Sequence, residues 1–281
     1  MRLLITGAAG MLGVDVRAAA EAAGHEAVAL ARAELDITDA PAVEDAVAGA
    51  EPEVVINCAA DTNVDGAESD SDTAYAVNGD GAGNVARAAR RAGVWVVQVS
   101  TDYVFDGAKR QPYLESDATG PVSVYGASKL AGELAVAQAA PDAHTIVRCS
   151  ALFGTGGPCF PATMLRLARE REQLTVVDDQ VTCPTFTAHL AATLLSLAES
   201  ASRPLGVLHV TPAGQCSWYQ FAVEIMRHAG AATRIVPGTT AEMARPAPRP
   251  AFSVMRSERG APELPDWRAG LDAYLAARVT A

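Results

Sequence analysis

Short apolar runs alternate with longer alanine-rich stretches along the first half of the chain, and the two carry different periods. Leu3–Thr6, Glu26–Leu30, Val54–Asn57, Val94–Ser100 and His144–Arg148 are brief runs dominated by Val, Ile, Leu and Ala. That is the pattern of strands covered on both faces. Between them lie Met11–Ala23, Pro41–Ala50, a long stretch near Thr73–Ala92 and the 122–139 region, all at helical spacing. Gly24 and Gly93 stop two of these helices, and Thr38-Asp39 opens another as a cap. Strands alternating with helices predict right-handed βαβ units, and hence a parallel sheet with helices on both faces.

After about residue 150 the rhythm loosens. A Gly/Pro-rich link from Gly154 to Pro161 leads to an amphipathic helix at about 162–171, then to the acidic turn Asp178-Asp179-Gln180. A helix at about 185–199 and a strand at Val207–Val210 predict a return to the sheet. Ser217–Ala229 and Trp267–Ala277 are helical, with a Pro-rich segment, Arg245 to Pro250, between them. The expected division is a domain of residues 1–150, joined in its sheet by about 185–212, and a smaller lobe from 151–281.

Composition narrows the function class. The apolar fraction is 49% and the charged fraction 20%, as in a folded globular protein. No apolar run approaches the roughly 18 residues of a membrane span. The opening apolar run reaches a Gly-rich turn too soon for a signal peptide, so it is expected to be the first strand of a cytoplasmic protein. A net charge of −11 argues against nucleic acid and anionic membranes as partners. The five cysteines are scattered without a CxxC, and the five histidines show no ligand spacing, so no metal is expected.

The first turn carries the first chemistry. Gly7-Ala8-Ala9-Gly10-Met11-Leu12-Gly13 follows a strand and opens a helix, the context of a dinucleotide fingerprint. In that reading Gly7 permits the turn, Gly10 lets a pyrophosphate approach, and Gly13 lets the helix pack closely on the sheet. An acid ending the second strand would select NAD through the ribose hydroxyls. Here Arg32 stands there and no acid comes before Glu34. Arg32 would suit a 2′-phosphate, so NADPH is the expected cofactor and NADH the alternative, with Arg32 as a plain surface charge the other reading. Asp36 and Ile37 fall where the chain would pass the adenine.

Tyr125 and Lys129 stand four apart, on one face of a helix. A phenol ordinarily titrates near 10, and a neighbouring ammonium is expected to bring it down toward neutral pH. Tyr125 could then give a proton to a ketone oxygen, with Lys129 holding the nicotinamide ribose. Thr101, at the end of the fourth strand, could hold the reacting oxygen.

With these runs in hand, the chain resembles the extended short-chain dehydrogenase/reductases and, within them, the dTDP-4-dehydrorhamnose reductase (RmlD-like) group. The resemblance rests on Ser100-Thr101-Asp102-Tyr103-Val104-Phe105-Asp106-Gly107 with Pro112-Tyr113 and Glu115, and on Asn57-Cys58-Ala59-Ala60. Tyr75 with Asn78, Asp179-Gln180 ahead of Pro184-Thr185, and Arg249-Pro250 before Ser253 extend it along nearly the whole chain. It implies a Rossmann-type doubly wound sheet with a smaller C-terminal substrate lobe. It also implies NAD(P)H-dependent reduction of the 4-keto group of a dTDP-6-deoxyhexose. Thr101, Tyr125 and Lys129 match the group's catalytic trio. Gly7, Gly10, Met11, Leu12, Gly13, Arg32, Asp36, Ile37, Cys58, Ala59, Ala60 and Thr62 fall at cofactor positions, with Tyr125 and Lys129. Thr62, Thr101, Asp102, Tyr103, Tyr125, Ala151 and Phe160 fall at sugar positions. Such reductases often pair as homodimers through helices flanking the Tyr-Lys helix.

The chain departs from the group's pattern near the sugar. Ala151 stands where a Trp is usual, Asp61 where a Tyr is common, Cys159 where an Asn is usual and Thr182 where a Gly is usual. Asp15 fits one place of a metal site seen in some members, but Ala188 fills another. Losing an indole forfeits a large contact surface, so a different or bulkier sugar nucleotide is within reach. Two further readings remain. An epimerase or dehydratase of the same fold is disfavoured by the missing acid at position 31 and by the Ser100–Gly107 run, and a dehydratase also because Tyr103, not a second acid, follows Asp102. A cofactor-binding regulatory subunit would have no need of Tyr125.

Overall fold

The computed structural model describes residues 1–280. Six strands form its central sheet: β1 (Arg2–Thr6), β2 (Glu26–Leu30), β3 (Val54–Asn57), β4 (Trp95–Thr101), β5 (His144–Cys149) and β6 (Gly206–His209). All pair in parallel, in the spatial order β6-β5-β4-β3-β1-β2. Every residue of β3 and β5 is buried, which explains the apolar run of β3 and leaves His144 and Arg148 of β5 as buried polar side chains. The fold is the expected doubly wound, Rossmann-type α/β sheet.

From β1 the chain moves outward to β2 at the sheet edge, then crosses back to β3 on the other side of β1. Where strand order reverses, the flanking connections part and leave a crevice at the strands' carboxyl ends. Below it, side chains lock the strand ends together. Thr6 Oγ1 donates to Asn57 Oδ1 at 2.6 Å, and Asn57 Nδ2 donates to Gln98 Oε1 at 2.7 Å.

Helices cover both faces. α1 (Met11–Ala22) lies on one face with a later helix, Thr187–Glu199, where Leu12, Val16, Ala20, Leu190 and Leu194 join one apolar cluster. α2 (Ala40–Ala50), α3 (Ala82–Ala92) and α4 (Val124–Ala139) cover the other through Val43, Val47, Val85, Ala89 and Val136. Asp39 caps α2 as expected, accepting from Ala42 N.

The single helix expected near Thr73–Ala92 is broken in two. An α segment, Ser71–Tyr75, passes into a π turn over Ala76–Gly81 before α3 begins. The reason is Asn78. Its side chain accepts from Asp61 N and donates to Asp61 O, and it also donates to Ser128 Oγ on α4. A π turn re-aims a side chain without ending the helix, and such turns collect at functional sites. α4 lies so close here that a Cβ on Gly132 would stand 2.0 Å from Asn78 O.

Beyond β5 the chain builds a third apolar cluster from Phe153, Phe221, Ile225, Trp267, Leu271 and Tyr274. The helix expected at 162–171 runs over Phe160–Leu167 and is followed by an unexpected strand, Gln173–Val177. That strand pairs in parallel with Arg234–Gly238, also unexpected because Pro237 interrupts it. The helix Trp218–Ala229 packs on both, opened by a capping box of Ser217 and Gln220.

Candidate active site

The crevice above β1, β3 and β4 is a cleft of about 560 Å³. Its N-terminal wall is the turn after β1. Gly7 has φ +68°, and a Cβ there would stand 2.5 Å from Ala59 N, so only glycine lets the loops after β1 and β3 touch. A Cβ on Gly13 would stand 2.3 Å from Gly7 O, which fixes α1 directly on the turn. α1 starts at Gly10 with no side-chain cap and no acid in its first turn. Met11, Leu12 and Gly13, whose N–H groups have no partner within a helix, line the cleft. An uncapped helix end beside bare glycine backbone fits a pyrophosphate.

Thr101, Tyr125 and Lys129 line the same cleft. Thr101 closes β4, while Tyr125 and Lys129 sit in the first two turns of α4, which Ser123 caps by accepting from Gly126 N at 3.1 Å. A Cβ on Gly126 would stand 2.2 Å from Tyr103 O, so α4 begins against the turn that follows Thr101. The Tyr103 and Tyr125 rings meet edge to face, 5.6 Å apart.

The electrostatics differ from the sequence expectation in one respect. The Tyr125 phenol is raised rather than brought down beside Lys129. Lys129 Nζ donates to Val99 O at 2.8 Å, and burial raises Tyr125 above its ordinary value, while the Thr101 hydroxyl beside it pulls the other way. The phenol therefore stays protonated at neutral pH. Burial lowers Lys129, and the Glu133 carboxylate offsets part of that fall. Asp102 is buried and pushed up to about 6 by desolvation, against hydrogen bonds that include those from Ser253 and Thr101. Thr101 Oγ1 donates to Asp102 Oδ1 at 3.0 Å and accepts from Tyr103 N, and Ser253 Oγ donates to Asp102 Oδ2 at 2.5 Å.

Of the other expected positions, Gly10, Cys58, Ala60, Thr62, Asp102, Tyr103 and Ala151 also line the cleft. Ala59 lies behind the wall, under Gly7. Ile37 is turned into the core at 3% exposure, so its side chain is not open to a ligand. Asp36 is exposed, held below the ordinary carboxyl range by the Thr38 backbone N–H and hydroxyl. Glu34 folds back to accept from Ala31 N, leaving Arg32 exposed and without hydrogen bond or ion pair among the described residues.

Phe160 lines not this cleft but a second cavity of about 470 Å³, which shares Tyr103, Gln180 and Trp218 with it. Phe160 packs on the Trp218 ring at 4.7 Å. Arg245 and Arg249 line the same cavity, and both reach Asp65, three residues past Thr62. Arg249 meets Asp65 with both terminal nitrogens at 3.0 Å. Thr182, expected near the sugar, lines the main cleft, and so do Trp218, Gln180 and Ser253, to which sequence reasoning assigned no role. Gln180 and Ser253 belong to group-specific runs, which was a usable signal; Trp218 offered none. Ala151 is held in left-handed backbone, φ +43°, in the turn after β5. Its carbonyl accepts from Thr185 N, and Ser150 Oγ donates to Cys183 O.

Among the described residues, no group of three or more His, Cys, Asp or Glu could hold a metal ion, and no helix is long and apolar enough to cross a membrane. Asp15 Oδ2 is buried without a hydrogen-bond partner there.

Known proteins align with this arrangement from end to end. A dTDP-4-dehydrorhamnose reductase of Streptomyces griseus is 46% identical over 278 residues, covering 96% of this chain and 91% of that one. A dTDP-4-keto-6-deoxy-D-glucose reductase of Streptomyces niveus is 42% identical, covering 90% and 88%. The crystal structure of a dTDP-4-dehydrorhamnose reductase from Bacillus anthracis, in complex with NADP, superposes with a TM-score of 0.94 at 36% identity, covering 98% and 99%. Residues 1–279 match the family described as the RmlD substrate binding domain, and the chain belongs to that family.

Proposed function

We propose that the protein reduces the 4-keto group of a dTDP-6-deoxyhexose with NADPH, and that its substrate is dTDP-4-dehydro-L-rhamnose, giving dTDP-L-rhamnose. The carrying observation is that Thr101, Tyr125 and Lys129 share one cleft with the uncapped start of α1. The relatives' names supply the substrate class, and the NADP complex of the Bacillus anthracis relative supports the cofactor.

The bound reduced nicotinamide would supply the hydride. Tyr125, kept protonated by burial, gives its proton to the ketone oxygen as negative charge develops there. Thr101, its hydroxyl fixed between Asp102 and the Tyr103 N–H, orients the phenol and the oxygen. Lys129 serves as the cation at the cofactor's ribose. Arg32, exposed beside the end of β2, suits the 2′-phosphate that distinguishes NADPH from NADH.

Ala151 favours a second reading, reduction of another dTDP-4-keto-6-deoxyhexose, because a methyl group leaves space where the family usually has an indole. The test is a panel of dTDP-4-keto sugars with NADPH and NADH, followed by loss of reduced-nicotinamide absorbance. Turnover of dTDP-4-dehydrorhamnose with NADPH supports the first reading. Turnover of a different sugar alone supports the second, and turnover of none removes both.

The reading includes a cytoplasmic location and a homodimer. Leu134, 65% exposed on α4, with Tyr75 on the packed neighbouring segment, offers the apolar face for pairing. Sedimentation of wild type and Leu134→Glu tests it; two monomers would overturn it.

A further inference from the structure

One turn below Lys129 on α4, the structure buries a second set of charges that the reaction does not use. Ser100, Arg148 and His209 stand in register on β4, β5 and β6, and so form one row across the sheet. Glu133, four residues after Lys129, meets that row. Its Oε1 accepts from Ser100 Oγ at 2.5 Å and from Arg148 Nε at 2.9 Å, and its Oε2 accepts from Arg148 Nη2 at 2.7 Å. The Glu133 and Arg148 side chains are 4% and 5% exposed. A buried ion pair is seldom a net source of stability, since desolvation consumes most of the attraction. Its presence beside a reacting centre therefore asks for another explanation.

The charge count supplies one. Lys129 on α4 and Arg148 on β5 are two buried cations. Cys58, from the loop after β3, and Cys149, from β5, face Lys129, but burial pushes both thiols up to about 12, so they stay neutral. Burial holds His209 of β6 below its ordinary value, and its Nδ1 lies 3.2 Å from Tyr113 O and 3.1 Å from Arg256 O. Neutral His209 turns Nε2 toward Arg148. The Glu115 carboxylate lies beyond His209, bound to its backbone N–H. Asp102, after β4, and Tyr125, on α4, are engaged with Thr101. Glu133 is left as the anion of this set, paired with Arg148 and four residues along α4 from Lys129.

We infer that Glu133 is a positioning residue for Lys129: it shields the ammonium from the Arg148 guanidinium and so keeps Lys129 cationic at the cofactor site. The inference rests on the reading of Lys129 as a cofactor-binding group. With Glu133 neutral, Arg148 and desolvation both act against the ammonium, and Lys129 loses its proton at lower pH. With Arg148 neutral, the carboxylate acts on Lys129 alone, and the proton is held to higher pH.

The experiment is NADPH affinity as a function of pH, read by nicotinamide fluorescence, which needs no sugar. Affinity falls as pH rises through the Lys129 titration, and Lys129→Met is expected to be weak with no such midpoint. In Glu133→Gln the midpoint moves down by about one pH unit or more, costing about tenfold in affinity between the two midpoints. In Arg148→Met it moves up. In the double variant it returns toward wild type, because both charges are gone. Midpoints that stay at the wild-type pH in the folded variants would overturn the inference and leave Glu133 a structural brace. Should Glu133→Gln fail to fold, Arg148→Met against the double variant makes the same comparison. Failure of the wild type to bind NADPH at any pH would instead remove the reading of the site itself.

Discussion

A tyrosine held protonated by burial carries its proton at neutral pH but is a weaker acid than a free phenol, so proton transfer from Tyr125 leans on the Thr101 hydroxyl, which pulls the phenol the other way. Tyr125→Phe should lower kcat by about 10²–10⁴-fold while NADPH binding stays within about twofold, checked by turnover and by fluorescence titration. Arg32→Ala should weaken NADPH by about tenfold and NADH little, as expected when a charge-assisted bond to one phosphate is lost. Asp102 has the opposite sign to a salt-bridged carboxylate. Its folded value, about 6, lies above its ordinary 3.8, so the folded chain holds that proton more tightly than the unfolded chain. Stability from this group is thus lost as pH rises between those two values, by about 2–3 kcal/mol at most. Asp102→Asn escapes the loss. Its melting temperature should gain on wild type as pH goes from about 4 to 7, and a constant difference would refute the assignment.

At the scale of elements, the regular half of the fold was legible and its interruptions were not. Val54–Asn57 and the fingerprint at Gly7–Gly13 carry period and punctuation in local sequence, so strand, turn and helix follow from them directly. The π turn at 76–81 was hidden, because Asn78 earns its conformation from Asp61 and Ser128, 17 and 50 residues away. Gln173–Val177 was hidden for a similar reason: its partner, Arg234–Gly238, carries a proline and stands far along the chain. In the site, Thr101, Tyr125 and Lys129 could be read from spacing and resemblance. Trp218 could not, since only the packing of its helix on the lobe brings its ring to the cleft. Gly132 marks where the π turn depends on α4. Gly132→Ala places a carbon 2.0 Å from Asn78 O. It should cost about 1–3 kcal/mol in denaturant unfolding and, by shifting Asp61 and Thr62, raise KM for the sugar nucleotide.

At the scale of the molecule, a chain of net charge −11 is expected to receive two phosphate-bearing ligands. The mean field opposes both, so local cations must do the attracting. Arg245 and Arg249 stand at the second cavity, but Asp65 already holds them, and that contact ties the loop after Thr62 to the Pro-rich segment of the C-terminal lobe. Arg249→Met should therefore do two things at once. It should cost about 1–3 kcal/mol of stability, leaving Asp65 without its bidentate partner. It should also raise KM for the sugar nucleotide by about tenfold with NADPH affinity unchanged, measured by initial rates and by titration. A change in NADPH affinity instead would place the contact at the wrong ligand.

The left-handed backbone at Ala151 bears on how this site could change by descent. A single base change in an alanine codon reaches Val, Thr, Pro, Ser, Gly, Asp or Glu, but never Trp. Of these, Val, Thr and Pro are barred or strained by a positive φ, and only Gly and Asp settle there readily. Neither would narrow the space with an apolar wall. The backbone that shapes the turn thus separates Ala151 from any bulky apolar side chain at that position, since a stepwise path to one would pass through intermediates that fit the turn badly.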